Sequence, residues 1–127
     1  MNVNILVVDD EQDVELLFNQ RFRKSIRSGI FNFHFAFSGE EAIGYLNELN
    51  APDITLILSD INMPGMSGFE LLEKVKKQFP EIHVMMVTAY GDPDNQEKAK
   101  VMGANDLLSK PLDFPHLEQK LFSLLQP

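Results

Sequence analysis

Two apolar runs in this chain end on carboxylates. Asp60 closes the run that begins at Ile54, and Asp9 and Asp10 close the run 4–8. The six residues 54–59, almost all Ile, Leu and Thr, read as a strand buried on both faces. Pro64, Gly65 and Gly68 then force a turn before the next helical pattern. Open α/β sheets hold ligands in the crevice at the carboxyl ends of their strands, so an acidic pocket is expected there with Asp60 as its reactive member. Three carboxylates close together raise at least one pKa unless a cation sits among them. An all-oxygen site suits magnesium, manganese or calcium rather than zinc. An Asp-Asp pair alone is more often a loop start or a helix cap; the third carboxylate at a second strand end reverses that reading.

Lys110 follows 105–109 and precedes Pro111, and Thr88 ends the run 84–87 ahead of the small Ala89. Singly, each has a bland explanation: a solvated lysine, or a β-branched residue packed at a strand end. Together with the carboxylates they specify a chemistry. A divalent cation would neutralise phosphoryl oxygens on one side, while Lys110 and Thr88 supply charge and a hydrogen bond on the other. Asp60 would attack phosphorus in line and form an aspartyl phosphate. Such a transfer needs positioning and charge neutralisation more than acid–base groups.

The elements that must position these residues alternate along the chain. Strand-like runs cover 4–8, 31–37, 54–59, 83–88 and 105–108, and helical patterns cover 11–26, 39–49, 67–79, 94–102 and 114–125. Val14, Leu17, Phe18 and Phe22 share one helical face, as do Phe69, Leu72, Val75 and Phe79. Five βα units predict an α/β fold, a doubly wound parallel sheet covered by helices on both faces. Ser38 and Ser67, each with Glu three residues on, predict capping boxes, and Asp113 predicts a cap with Pro115 in the first turn. Gly103 is expected to close the fourth helix in the left-handed conformation. The region after Gly91-Asp92-Pro93 carries many polar residues, as a mobile segment or an exposed docking face would.

Composition narrows the function classes. The 127 residues, 44% hydrophobic, suit a single domain over 1–127. A net charge of −8 argues against a nucleic-acid or bilayer surface. Cysteine is absent, so neither disulfides nor thiolate metal sites form. The start lacks the marks of a signal peptide, and no apolar stretch reaches the roughly 20 residues of a membrane span. A cytoplasmic protein is the expectation. Arg21, Arg23, Lys24 and Arg27 make one basic stretch, read mainly as charges that suit a helix C-terminus. Phe31, Phe33, Phe35 and Phe37 alternate onto one strand face, where two or three are expected to pack and one to be exposed. His34 between them reads as structural or solvated.

Ile-Leu-Val-Val-Asp9-Asp10-Glu11, Leu-Ile-Leu-Ser-Asp60-Ile-Asn-Met-Pro-Gly-Met-Ser-Gly68, Val87-Thr88-Ala89 and Gly103-Ala-Asn-Asp-Leu-Leu-Ser-Lys110-Pro111 together resemble the receiver domain of two-component response regulators. The resemblance covers essentially the whole chain, and its motifs are specific in this order and spacing. It implies a flavodoxin-like (βα)5 fold with strand order 2-1-3-4-5. It also implies that Asp60 is the phosphoacceptor, that Asp9, Asp10 and Asp60 hold Mg2+ (or Mn2+) with the backbone carbonyl of Asn62, and that Thr88 is the switch hydroxyl. Lys110 is then the phosphate-contacting lysine, with Pro111 joined to it through a cis bond. Leu107 departs from the family's usual aromatic residue three positions before the lysine, which bears on the form of the output change and not on phosphorylation. Tyr90 and Asn62 hold positions that tune loss of the phosphoryl group.

The resemblance implies a phosphorylation-dependent signal receiver, fed by a sensor histidine kinase or a histidine phosphotransfer protein. It would be no multiple-turnover metabolic enzyme, although it would catalyse its own phosphoryl transfer and dephosphorylation. Its output surface is expected on the fourth helix, fifth strand and fifth helix, docking a downstream protein or a second copy. An effector domain fused in a longer protein is the other possibility, since no effector pattern follows the last helix. Two alternatives stand beside this reading. A small-molecule phosphatase would want an acid two positions past the nucleophile, where this chain has Asn62. A degenerate receiver acting only as a protein-binding module would usually lack one of the residues above, and only Leu107 points that way.

Overall fold

The computed structural model describes residues 2–89 and 93–127. In chain order the elements are β1 (Val3–Val8), α1 (Asp13–Arg21), α2 (Arg23–Arg27), β2 (Phe31–Ala36), α3 (Gly39–Leu46) and β3 (Leu56–Asp60). They continue with α4 (Gly68–Gln78), β4 (His83–Thr88), α5 (Pro93–Val101), β5 (Asp106–Ser109) and α6 (Phe114–Leu125). The five strands form one parallel sheet in the order β2-β1-β3-β4-β5. This is the doubly wound fold that the sequence predicts. Strand order reverses between β1 and β3, so a crevice opens at their carboxyl ends. The register Val8↔Ser59 brings Asp9 beside Asp60 one step further on.

Alternation along each strand divides the core. Ile5, Val7, Leu56, Leu58, Met85 and Val87 face α1, α2 and α6. Leu6, Val8, Ile57, Val84 and Met86 face α3, α4 and α5. β3 is buried over its whole length, which is why its sequence is continuously apolar.

Local signals act as read, with exceptions that have physical causes. Ser67 and Glu70 form the full reciprocal capping box at α4. At α3 only half of the expected box forms. Ser38 accepts from the Glu41 N–H, but the Glu41 carboxylate accepts from the Phe37 N–H, one residue before the cap. Asp113 accepts from the His116 N–H at the start of α6, and Gly103 closes α5 at φ +96°.

The expected first helix, 11–26, is divided at Phe22, whose backbone leaves the helical region (φ −107°, ψ 22°). The Phe22 ring is buried among Phe18, Phe31, Phe33 and Phe114, so tertiary packing overrides local helix preference. The predicted fourth and fifth helices are therefore α5 and α6. The second expected helix, 39–49, is helical only to Leu46, where Asn47 ends it and returns its side-chain amide to the Ile43 carbonyl. None of the four alternating phenylalanines is exposed; Phe31 is buried and Phe33, Phe35 and Phe37 pack half-buried on the same layer. His34 is half-buried and structural, sharing hydrogen bonds with Tyr45 and Asn4. Tyr90, Gly91 and Asp92 lie outside the described residues.

Candidate phosphorylation site

Asp60 is the last residue of β3 and is only 7% exposed. Asp9 follows β1, equally buried, and its Oδ1 accepts the Glu11 N–H at 2.9 Å. Asp10 is exposed at the rim. One carboxylate oxygen from each of the three lies within 4.8 Å of the others. Lys110, one residue past β5, reaches in with Nζ 3.1 Å from Asp60 Oδ2 and 3.4 Å from Asp9 Oδ2. Its backbone N–H donates to the Thr88 carbonyl at 2.8 Å, and its bond to Pro111 is cis. Thr88 is fully buried at the end of β4, opposite Ser109 of β5. The sequence-predicted Asp9, Asp10, Asp60 and Lys110 thus meet, with Thr88 tied to Lys110 through the backbone. Asn62 lies exposed on the loop after Asp60, and no hydrogen bond among the described residues joins it to the carboxylates.

The electrostatics follow from this crowding. Burial pushes the Asp60 carboxyl above its usual range. Lys110 pulls it part of the way back, while Asp9 and Asp10 push it up further. Burial alone would lower Lys110, yet its hydrogen bond to Asp60 and the charges of Asp9 and Asp60 hold it above its usual value. A lone ion pair would have lowered the acid; here one ammonium is shared by Asp9 and Asp60, with the Asp10 carboxylate beside them. Counted as three minus one, two negative charges remain uncompensated. An all-oxygen donor set with two excess negative charges fits a divalent cation of the Mg2+ or Mn2+ kind.

The loop that leaves Asp60 is tightly closed. Ile61 N–H donates to the Val87 carbonyl, and Gly68 N–H returns to the Ile61 carbonyl at 2.8 Å. A Cβ on Gly68 would stand 2.3 Å from the Asp60 carbonyl oxygen, so only glycine allows this return. Beside the site a groove of about 1080 Å3 runs between α1 and the turn after β5, lined by Asp9, Val14, Leu17, Lys110, Pro111 and Phe114. Reading the sequence missed one participant. Glu40 of α3 accepts the Met66 N–H of the same loop, across 26 residues, which no local pattern signals.

Residues 5–122 match the response regulator receiver domain family. Sporulation initiation phosphotransferase F of Bacillus subtilis is 35% identical, over 92% of this chain and 89% of its own length. The DNA-binding transcriptional regulator NtrC of Proteus hauseri is 36% identical over 87% of this chain, which spans 22% of that protein. Among solved structures, a CheY-like receiver domain protein from Methanospirillum hungatei superposes with a TM-score of 0.84 at 29% identity, covering 99% of this chain and 95% of that one. The acidic cluster and the Lys110 ion pairs accord with the site at which such domains are phosphorylated on aspartate. The chain belongs to the receiver domain family of two-component response regulators.

Proposed function

We propose that this protein takes a phosphoryl group from phosphohistidine onto Asp60. The observation that carries this is the position of Asp60: buried, at the end of the central strand, ion-paired to Lys110 and clustered with two further carboxylates. In the transfer, a carboxylate oxygen of Asp60 attacks phosphorus as the P–N bond to the donor imidazole breaks, and the imidazole keeps the electron pair. Water later attacks the same phosphorus, releasing inorganic phosphate and restoring the carboxylate. Asp9, Asp10, Asp60 and the Asn62 carbonyl would hold Mg2+, which when bound offsets the charge of the phosphoryl oxygens. Lys110, already at the carboxylate, would exchange an aspartate oxygen for a phosphoryl oxygen. Thr88 would turn its hydroxyl toward the same group.

The donor would be a sensor histidine kinase or a histidine phosphotransfer protein, in the cytoplasm. The groove between α1 and the turn after β5 joins Asp9 and Lys110 to apolar residues, with Leu16 exposed beside it, and so is suited to docking the donor. Output would pass through α5, β5 and α6 to a downstream protein, a second copy or an attached effector. Leu107 faces the α3–α5 layer beside Met86, on the same side of the sheet as Thr88, so an aliphatic side chain would follow the threonine there. Among the described residues no helix is long and apolar enough to cross a membrane.

The test is phosphoryl incorporation from a small phosphodonor with Mg2+, with Mn2+ and with a chelator. Incorporation with either metal and none with the chelator supports the proposal. Metal binding to the folded chain without incorporation favours a phosphorylation-independent binding module.

A further inference from the structure

The loop from Asp60 to α4 is anchored at its base by Ile61 and Gly68, and its tip reaches α3. Met66 N–H donates to Glu40 Oε2 of α3 at 3.3 Å, and the same oxygen lies 2.7 Å from where a Cβ on Gly65 would stand. Gly65 has φ +74°, so glycine is required there for conformation. The Met66 side chain lies across Gly39, where a Cβ would be 2.8 Å from its Sδ. Two consecutive residues of α3, one with no side chain and one with a carboxylate, therefore receive both the backbone and the side chain of Met66. The loop they receive is the one that carries Asn62.

We infer that Glu40 is a positioning residue for the metal-dependent reaction: its carboxylate fixes the turn at 65–66 and, through it, the loop that offers a backbone ligand beside Asp60. The inference rests on the proposed phosphotransfer site. Glu40 does not touch the reacting atoms. Its role is to remove alternative loop shapes, as groups behind a metal ligand commonly do. A hydrogen bond accepted by a solvent-exposed carboxylate is modest, so its effect falls on loop shape and not on global stability.

Two variants separate this from simple charge attraction. Glu40→Ala removes the acceptor and the charge; Glu40→Gln removes the charge and keeps an acceptor oxygen. Mg2+ affinity is read by calorimetry and the Met66 amide by hydrogen exchange. Glu40→Ala is expected to weaken Mg2+ about tenfold and to speed Met66 exchange, while Glu40→Gln stays within about twofold of wild type in both. Equal losses in the two variants would overturn the inference in favour of long-range charge, and no loss in either would overturn it outright. Should wild type bind no Mg2+, the phosphotransfer reading and the metal role of Glu40 fail together. An unchanged Met66 exchange rate in Glu40→Ala would overturn the clamp alone.

Discussion

On the α1–α6 side of the sheet, Phe18, Phe22, Phe31, Phe33 and Phe114 lie ring against ring, with centroids 5.0–6.3 Å apart. On the opposite side the core is aliphatic and methionine-rich, and it thins toward β5. There α4 buries Phe69, Leu71, Leu72 and Val75, whereas α5 buries Ala99 alone. On α5, Lys98 Nζ stands 4.4 Å from the Phe69 ring centroid. Aromatic pairs add about 0.5–1.5 kcal/mol each beyond area burial, and they fix geometry. The difference separates a scaffold from a part that can move. The phenylalanine layer holds β1 and β3, whose ends carry Asp9 and Asp60. The lightly held layer lies over β4 and β5, beside Thr88 and Leu107, where a two-state change costs least.

That contrast can be broken by mutation. Phe22→Ala removes a fully buried ring at the centre of the aromatic layer and should cost about 3–5 kcal/mol in denaturant unfolding. A loss below about 1 kcal/mol would mean the layer is not the scaffold. Gly68→Ala places a methyl against the Asp60 carbonyl and should cost about 1–3 kcal/mol. It should also displace Asp60, so phosphoryl incorporation falls more than stability does.

A smaller effect concerns the rim between the layers. An acid whose folded pKa exceeds its unfolded value disfavours the fold once ionised. For Asp60 that cost is absent below the unfolded value near 3.8 and complete above the raised folded one. Without metal, Asp60→Asn should therefore melt higher than wild type at neutral pH, and the gap should close in acid. Added Mg2+ should stabilise wild type more than the variant, since it binds the folded site. Lys110 works the other way: its stabilisation is present through neutral pH and lost only as pH rises through its raised value. A wild type that melts higher than Asp60→Asn in chelator would contradict this sign.

The smallest effect is expected on α5. Val101 is 75% exposed, and Val101→Ser should change stability by no more than about 0.5 kcal/mol. The α5 amides should exchange faster than those of α1 and α4, and phosphorylation should change exchange over 84–109 more than over 14–35. Uniform change across both layers would erase the distinction.

Most of the site was legible in the sequence because it is built at strand ends. A buried strand announces itself by an apolar run, and the residue that ends it is then placed by topology. Asp9, Asp10, Asp60 and Thr88 are of this kind, whereas Lys110 follows the short, half-buried β5. The α4 capping box was legible because both partners lie within one turn. What escaped depends on contacts between distant residues. The break at Phe22 comes from rings on β2 and α6, and Glu41 abandons its box for a neighbouring N–H. Glu40 reads as an ordinary acid in the first turn of a helix, and only the folded chain brings it to Met66.

That Asp60 itself takes the phosphoryl group is tested most directly by intact mass after incubation with Mg2+ and a small phosphodonor, wild type beside Asp60→Asn. One added phosphoryl group on wild type and none on the folded variant is the predicted result. Equal incorporation into both, or none into a wild type that binds Mg2+, would contradict it.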